Sequence, residues 1–133
     1  MKYMLLIYHD ERVVSDEDRE HCYTESRQLA YDLNARGQFI SSAPLYPTTT
    51  ATSVRVRDGK RLMTDGPFAE TREQLGGYYL IDVPNLDEAI EAAARVPVAR
   101  VGTVEVRPVI EIGGLPEEQA NQQKQSIISR SNP

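Results

Sequence analysis

The chain has 133 residues, a formal net charge of −5, one cysteine, two histidines and no tryptophan. That length suits one domain, a single cysteine excludes a disulfide-stapled scaffold, and an acidic balance argues against unspecific nucleic-acid binding, which needs lysine and arginine to displace counterions. No apolar run approaches the ~20 residues of a membrane span, and the apolar start is too short for a signal peptide, so the sequence predicts a soluble, cytoplasmic protein with neither a membrane nor a nucleic-acid partner.

Residues 2–8 are short and continuously apolar, the pattern of a central strand buried on both faces. Ser15-Asp16-Glu17-Asp18 reads as a helix start, with Ser15 accepting from a backbone N–H three residues on. Cys22, Ser26, Leu29, Ala30 and Leu33 follow at helical spacing and predict one buried stripe. Gly37 is placed to end this helix in a left-handed conformation. Residues 38–43 predict a second strand, closed by Pro44. Asp58-Gly59 between two extended runs predicts a tight hairpin, because the turn needs positive φ at both central positions. Arg55, Arg57, Lys60 and Arg61 are expected to form its basic face.

Asp65-Gly66-Pro67-Phe68-Ala69-Glu70 predicts a turn, with Phe68 anchoring the loop in the core. Residues 77–83 predict a third strand, and Gly76-Gly77 permits a bulge or tight approach ahead of it. Asn85 caps a second helix with Leu86, Ala89, Ile90 and Ala93 as its stripe. Residues 103–112 predict the last strand, with Val104, Val106, Ile110 and Ile112 facing one way. Residues 113–133 hold no aromatic, and their charges cancel. They are read as a polar, flexible tail, which leaves a folded domain at residues 1–112.

This order, strand, helix, strand, hairpin, strand, helix, strand, matches an α+β split ferredoxin-like arrangement: an antiparallel sheet with two helices on one face. The first strand sets Tyr3, Leu5 and Ile7 against Met4, Leu6 and Tyr8; the third sets Tyr79, Ile81 and Val83 against Tyr78 and Leu80. Two helices cover one face only, and the other would expose a large apolar patch. A second copy packed face to face about a two-fold axis removes it. The sequence thus predicts a homodimer whose sheets close a barrel-like space. Tyr3, Tyr8, Tyr78 and Tyr79 are expected at its seam, where an apolar ring with a polar tip is useful.

At Asp65-Gly66-Pro67-Phe68-Ala69-Glu70-Thr71-Arg72-Glu73-Gln74-Leu75-Gly76-Gly77-Tyr78-Tyr79 the chain resembles the bacterial DGPF-type proteins of the YCII-related group. The match extends to Lys2-Tyr3-Met4-Leu5-Leu6-Ile7-Tyr8, to Val54-Arg55-Val56-Arg57-Asp58-Gly59-Lys60 and to Val104-Glu105-Val106-Arg107-Pro108, covering about residues 1–112. The resemblance implies a dimeric α+β barrel of ferredoxin-like halves. Some members look linked to extracytoplasmic-function sigma factors, which implies a stress or regulatory setting. A His–Asp pair in the cleft suggests that members of the wider group are enzymes. Counting back from Gly37, that histidine aligns with Ser26, and His21 lies five residues earlier, so the pair does not transfer to this chain.

Several residues are candidates for chemistry. Asp65 and Glu70 lie five residues apart across a Gly-Pro turn, where two carboxylates can converge as base and acid; the same residues also suit a purely structural turn. His9, beside Asp10 at a strand end, is a candidate proton carrier or ligand contact, or simply a solvated histidine. Tyr78 is a candidate cleft lining, and Arg100 and Arg107 are candidate partners for a substrate carboxylate. His21, Cys22 and Glu25 share a helix but lack a second pair to complete a metal shell, so no metal and no cofactor is expected. Two readings follow. The favoured one is a small-molecule-binding or regulatory module using the cleft between sheet and dimer partner. The alternative is a cofactor-independent enzyme with Asp65 and Glu70 as acid and base.

Overall fold

The computed structural model describes residues 1–116. Strand β1 (Lys2–His9) lies at the centre of a four-stranded sheet, between β5 (Gln74–Asp82) and β6 (Thr103–Pro108), with β2 (Phe39–Pro44) outside β5. Every pairing is antiparallel. With the hairpin set aside, the spatial order is second, third, first, fourth, which is the split ferredoxin-like topology.

Alternation along the strands decides what is buried. Tyr3, Leu5 and Ile7 of β1 and Tyr79 and Ile81 of β5, with Val83 just beyond, are buried against the helices, while Met4, Leu6, Tyr8, Tyr78 and Leu80 stay partly accessible on the opposite face. The four tyrosines therefore do not share one seam. Tyr3 and Tyr79 belong to the helix-side core, and Tyr8 and Tyr78 to the open face.

Helix α1 (Asp16–Ala35) begins where Ser15 Oγ accepts from the Asp18 N–H at 3.1 Å. Three acidic residues in the first turn favour the positive end of the helix dipole. The chain reverses at Gly37, with φ +70°. Helix α2 (Leu86–Arg95) starts where Asn85 Oδ1 accepts from the Glu88 N–H at 3.0 Å. Its buried side is Ala89, Ala92 and Ala93, while Leu86 and Ile90 are exposed. The stripe is rotated from the expected one because alanines let the helix lie close to the sheet, and the larger residues do not fit beneath it. No helix among the described residues is long and apolar enough to cross a membrane.

Strands β3 (Thr52–Arg57) and β4 (Lys60–Asp65) form a separate two-stranded ribbon. Asp58 and Gly59 take φ +53° and +73° at its tip, as the tight turn requires. Cross-strand pairing puts Arg55, Arg57, Lys60 and Leu62 on one face and Val54, Val56, Met63 and Arg61 on the other. Arg61 is thus separated from the other three cations.

Further differences from the expected elements have local causes. Phe68 is 80% exposed instead of anchored, because the turn that carries it projects beyond the sheet. Strand β6 ends at Pro108, with one more bond to β1 where the Val109 N–H donates to the Lys2 carbonyl at 2.9 Å, and Ile110 and Ile112 lie beyond it, exposed. Strand β5 begins three residues early, at Gln74, by pairing with His9. Of the expected tail, residues 117–133 lie outside the described residues.

Candidate functional site

A cavity of about 440 Å³ lies between α1 and the helix-covered face of the sheet, toward the C-terminal ends of β1 and β2. That size falls in the range of small-molecule sites. The expected cleft was on the other side of the sheet, facing a dimer partner.

Three elements make the cavity. On α1, Arg19, Cys22, Tyr23, Ser26, Arg27 and Ala30 line it over three turns. These positions form one stripe at i, i+3, i+4 spacing. On the same helix, Leu29 and Leu33 are buried in the core and fill the space. Cys22, Ser26 and Ala30 are small, so the sheet beneath them stays uncovered. The second wall is the end of β2 and its following loop, from Ser42 through Pro47. The third includes Val96, Val98 and Val101 after α2.

Ile7 and His9 contribute the floor. The alternation that buries Ile7 also turns His9 toward α1. Its imidazole lies over Gly76, where a β-carbon would overlap Nε2. The β1–β5 register shifts at this point, between Ile7 and Tyr8, so the Gly76-Gly77 pair provides both a bulge and a close approach. His9 Nδ1 is buried and has no hydrogen-bond partner among the described residues.

The polar surroundings are well tied down. Glu11 Oε1 accepts from the Thr48 N–H at 2.9 Å, and Oε2 from the Thr48 hydroxyl at 2.8 Å. The Glu11 N–H donates to Gln74 Oε1 at 3.1 Å. The Tyr79 hydroxyl donates to the Ser26 carbonyl at 2.7 Å, and burial pushes its phenol pKa up. Burial also pushes the Cys22 thiol up, with Glu25 adding to it. A raised pKa keeps the thiol protonated at neutral pH, which is the wrong state for a nucleophile. Among the described residues, no three His, Cys, Asp or Glu side chains converge as a metal site would need.

The family model for the YCII-related domain matches residues 1–113. The chain belongs to the YCII-related family. An uncharacterised protein of Rhizobium meliloti (strain 1021) is 41% identical to it over 118 residues, covering 82% of this chain and 92% of that one. In this YCII-related chain, Ser26 lies on the cavity wall.

Of the residues picked out in the sequence, two border the cavity: His9 and Tyr78. Strand alternation sends the Tyr78 ring to the open face, where its hydroxyl shares a hydrogen bond with Ser41 Oγ at 3.0 Å. The other four are elsewhere. Asp65 ends β4 opposite Thr52, and Glu70 follows in the loop; both are exposed. Arg100 donates to Glu25 of α1 at 2.8 Å, outside the cavity lining. Arg107 pairs with Met4 across the open face. Cys22, Ser26 and Ala30 of the α1 stripe are expected from the sequence to be core. Its signal as a site was the run of small residues at 22, 26 and 30, where a filled core would carry leucines.

Proposed function

We propose that this YCII-related chain is a small-molecule-binding module whose ligand lies in the cavity between α1 and the sheet. One observation carries the reading. A mostly apolar cavity holds an imidazole whose buried Nδ1 has no partner among the described residues. Buried polar atoms are nearly always hydrogen-bonded, so an orphan at a cavity wall marks a place for a ligand's polar group.

The module is a homodimer in this proposal. Met4, Leu6, Tyr8, Tyr78 and Leu80 form a partly accessible apolar face with no helix of the described residues over it, and a second copy covers it. Sedimentation equilibrium at micromolar concentration should give the dimer mass; a monomer there removes this part.

The cavity itself is tested with the neutral fluorescent probe N-phenyl-1-naphthylamine. Its emission should rise on binding. Ala30→Phe fills the cavity from the middle of α1 and should weaken the probe at least about tenfold, roughly 1.4 kcal/mol. Gly76→Ala pushes the imidazole away and should weaken it as well. Unchanged binding in Ala30→Phe, with a native circular dichroism spectrum, would overturn the proposal.

A further inference from the structure

The charges around the cavity specify the ligand further, an inference that rests on the binding reading above. The chain as a whole is acidic, with a net charge of −5. Besides His9, the charged residues lining the cavity are Glu11, Arg19 and Arg27. Glu11 has each carboxylate oxygen engaged by Thr48, so it is occupied within the chain. Arg19 has a loose ion pair at 3.6 Å with a fully exposed Asp16. Arg27 makes no salt bridge or hydrogen bond among the described residues.

The two arginines are eight residues apart on α1, about 12 Å along its axis. Both border the cavity, with Tyr23 and Ser26 between them. Behind them the wall is apolar, with Ile7, Ala30, Val96 and Val98. The arrangement is therefore amphipathic. Its apolar part excludes water, and its polar edge carries two guanidinium groups, one of them without a partner among the described residues. A cationic ligand would meet these like charges with no free carboxylate to offset them. A guanidinium fork fits a carboxylate with two parallel hydrogen bonds.

We infer that the ligand is an amphipathic monoanion, a carboxylate on an aromatic or aliphatic body. Its apolar part lies beneath α1, and its carboxylate engages Arg27. His9, on the opposite wall, hydrogen-bonds a polar substituent of the body.

The test is a matched pair of competitors of one size, 2-naphthoate and neutral 2-naphthamide, each displacing N-phenyl-1-naphthylamine at neutral pH. The naphthoate should displace the probe at a concentration about tenfold lower. Arg27→Gln should remove that advantage, and Arg27→Lys should retain part of it, with probe affinity remeasured for each variant. High salt should narrow the gap in the wild type. If the amide competes as well as the carboxylate, or the gap survives Arg27→Gln, the anion inference is wrong while the cavity reading stands. If the probe does not bind at all, the cavity reading itself falls, and this inference with it.

Discussion

The four-stranded sheet and the β3–β4 ribbon are built from the same kind of antiparallel pairing and carry apolar residues at alternating positions. Their surroundings differ. The sheet is crossed by α1 and α2, and Leu5 and Ile81 beneath them are completely buried. The ribbon is inserted between β2 and β5 with no helix of its own, and Val54, Val56, Leu62 and Met63 are all exposed. Its two strands are closed on each other at the base, where the Gly66 N–H donates to the Ala51 carbonyl at 2.7 Å and Ser53 Oγ donates to the Gly66 carbonyl at 2.8 Å. A two-stranded ribbon alone is marginal in water. Pairing comes from local sequence, whereas burial comes from what the connections bring back over the strands.

Substitutions can break or sharpen that contrast. The largest effect should come from Leu5→Ala, which opens a cavity under both helices and should cost about 2–5 kcal/mol in urea denaturation. A loss below about 1 kcal/mol would mean that the sheet is not the stability centre. Next is Tyr79→Phe, which removes the second donor to the Ser26 carbonyl, already bonded within α1, and should cost about 1–1.5 kcal/mol. That variant also tests a pH effect. Burial raises the Tyr79 pKa above its ordinary 10.0, so the stability it contributes is complete below pH 10.0 and is lost as pH rises through the higher folded value. The wild type should therefore lose stability in strong alkali more steeply than Tyr79→Phe does.

Asn85→Ala removes the cap of α2 and should cost about 1 kcal/mol, read as a shift in the urea midpoint at constant slope. The smallest change should come from Val56→Ala, at a residue 62% exposed. Its effect on a dilute, monomeric sample should stay within about 0.5 kcal/mol. A larger loss would show that the ribbon packs against something in solution.

Much of the fold was legible in the sequence, because its signals are local. Ser15, Asn85, Gly37 and Asp58-Gly59 each set a cap or a turn through their own backbone chemistry. Packing was less legible. Phe68 is a large aromatic in a turn, and nothing local says whether that turn folds inward. The strand ending at Pro108 was overrun because Ile110 and Ile112 kept the alternation going after the ladder had stopped. The site was the least legible part. His9 was visible as a candidate. Arg19 and Arg27 were not, since a helix stripe looks the same whether it meets packed side chains or space. Asp65, Glu70, Arg100 and Arg107 were drawn in by their charge, and the fold sets all four away from the cavity.

Gly76 has a further consequence, for how the strand tolerates change in length. It is skipped in the β1–β5 ladder: Ile7 faces Gly77, and Tyr8 already faces Leu75. It therefore acts as a phase shift of one residue. Downstream of it, Gly77, Tyr79 and Ile81 face the helices; upstream, Gln74 does so, opposite His9. Deleting Gly76 would remove the bulge and leave the upstream part facing as it does, whereas pairing Gly76 with Tyr8 would restore an uninterrupted pleat along the present sequence and invert that part. Leu75 would turn inward against His9, and Gln74 would turn outward, away from the Glu11 N–H it now accepts from. One residue without a side chain thus keeps two halves of a single strand in opposite frames, and the polar end of the cavity depends on that offset.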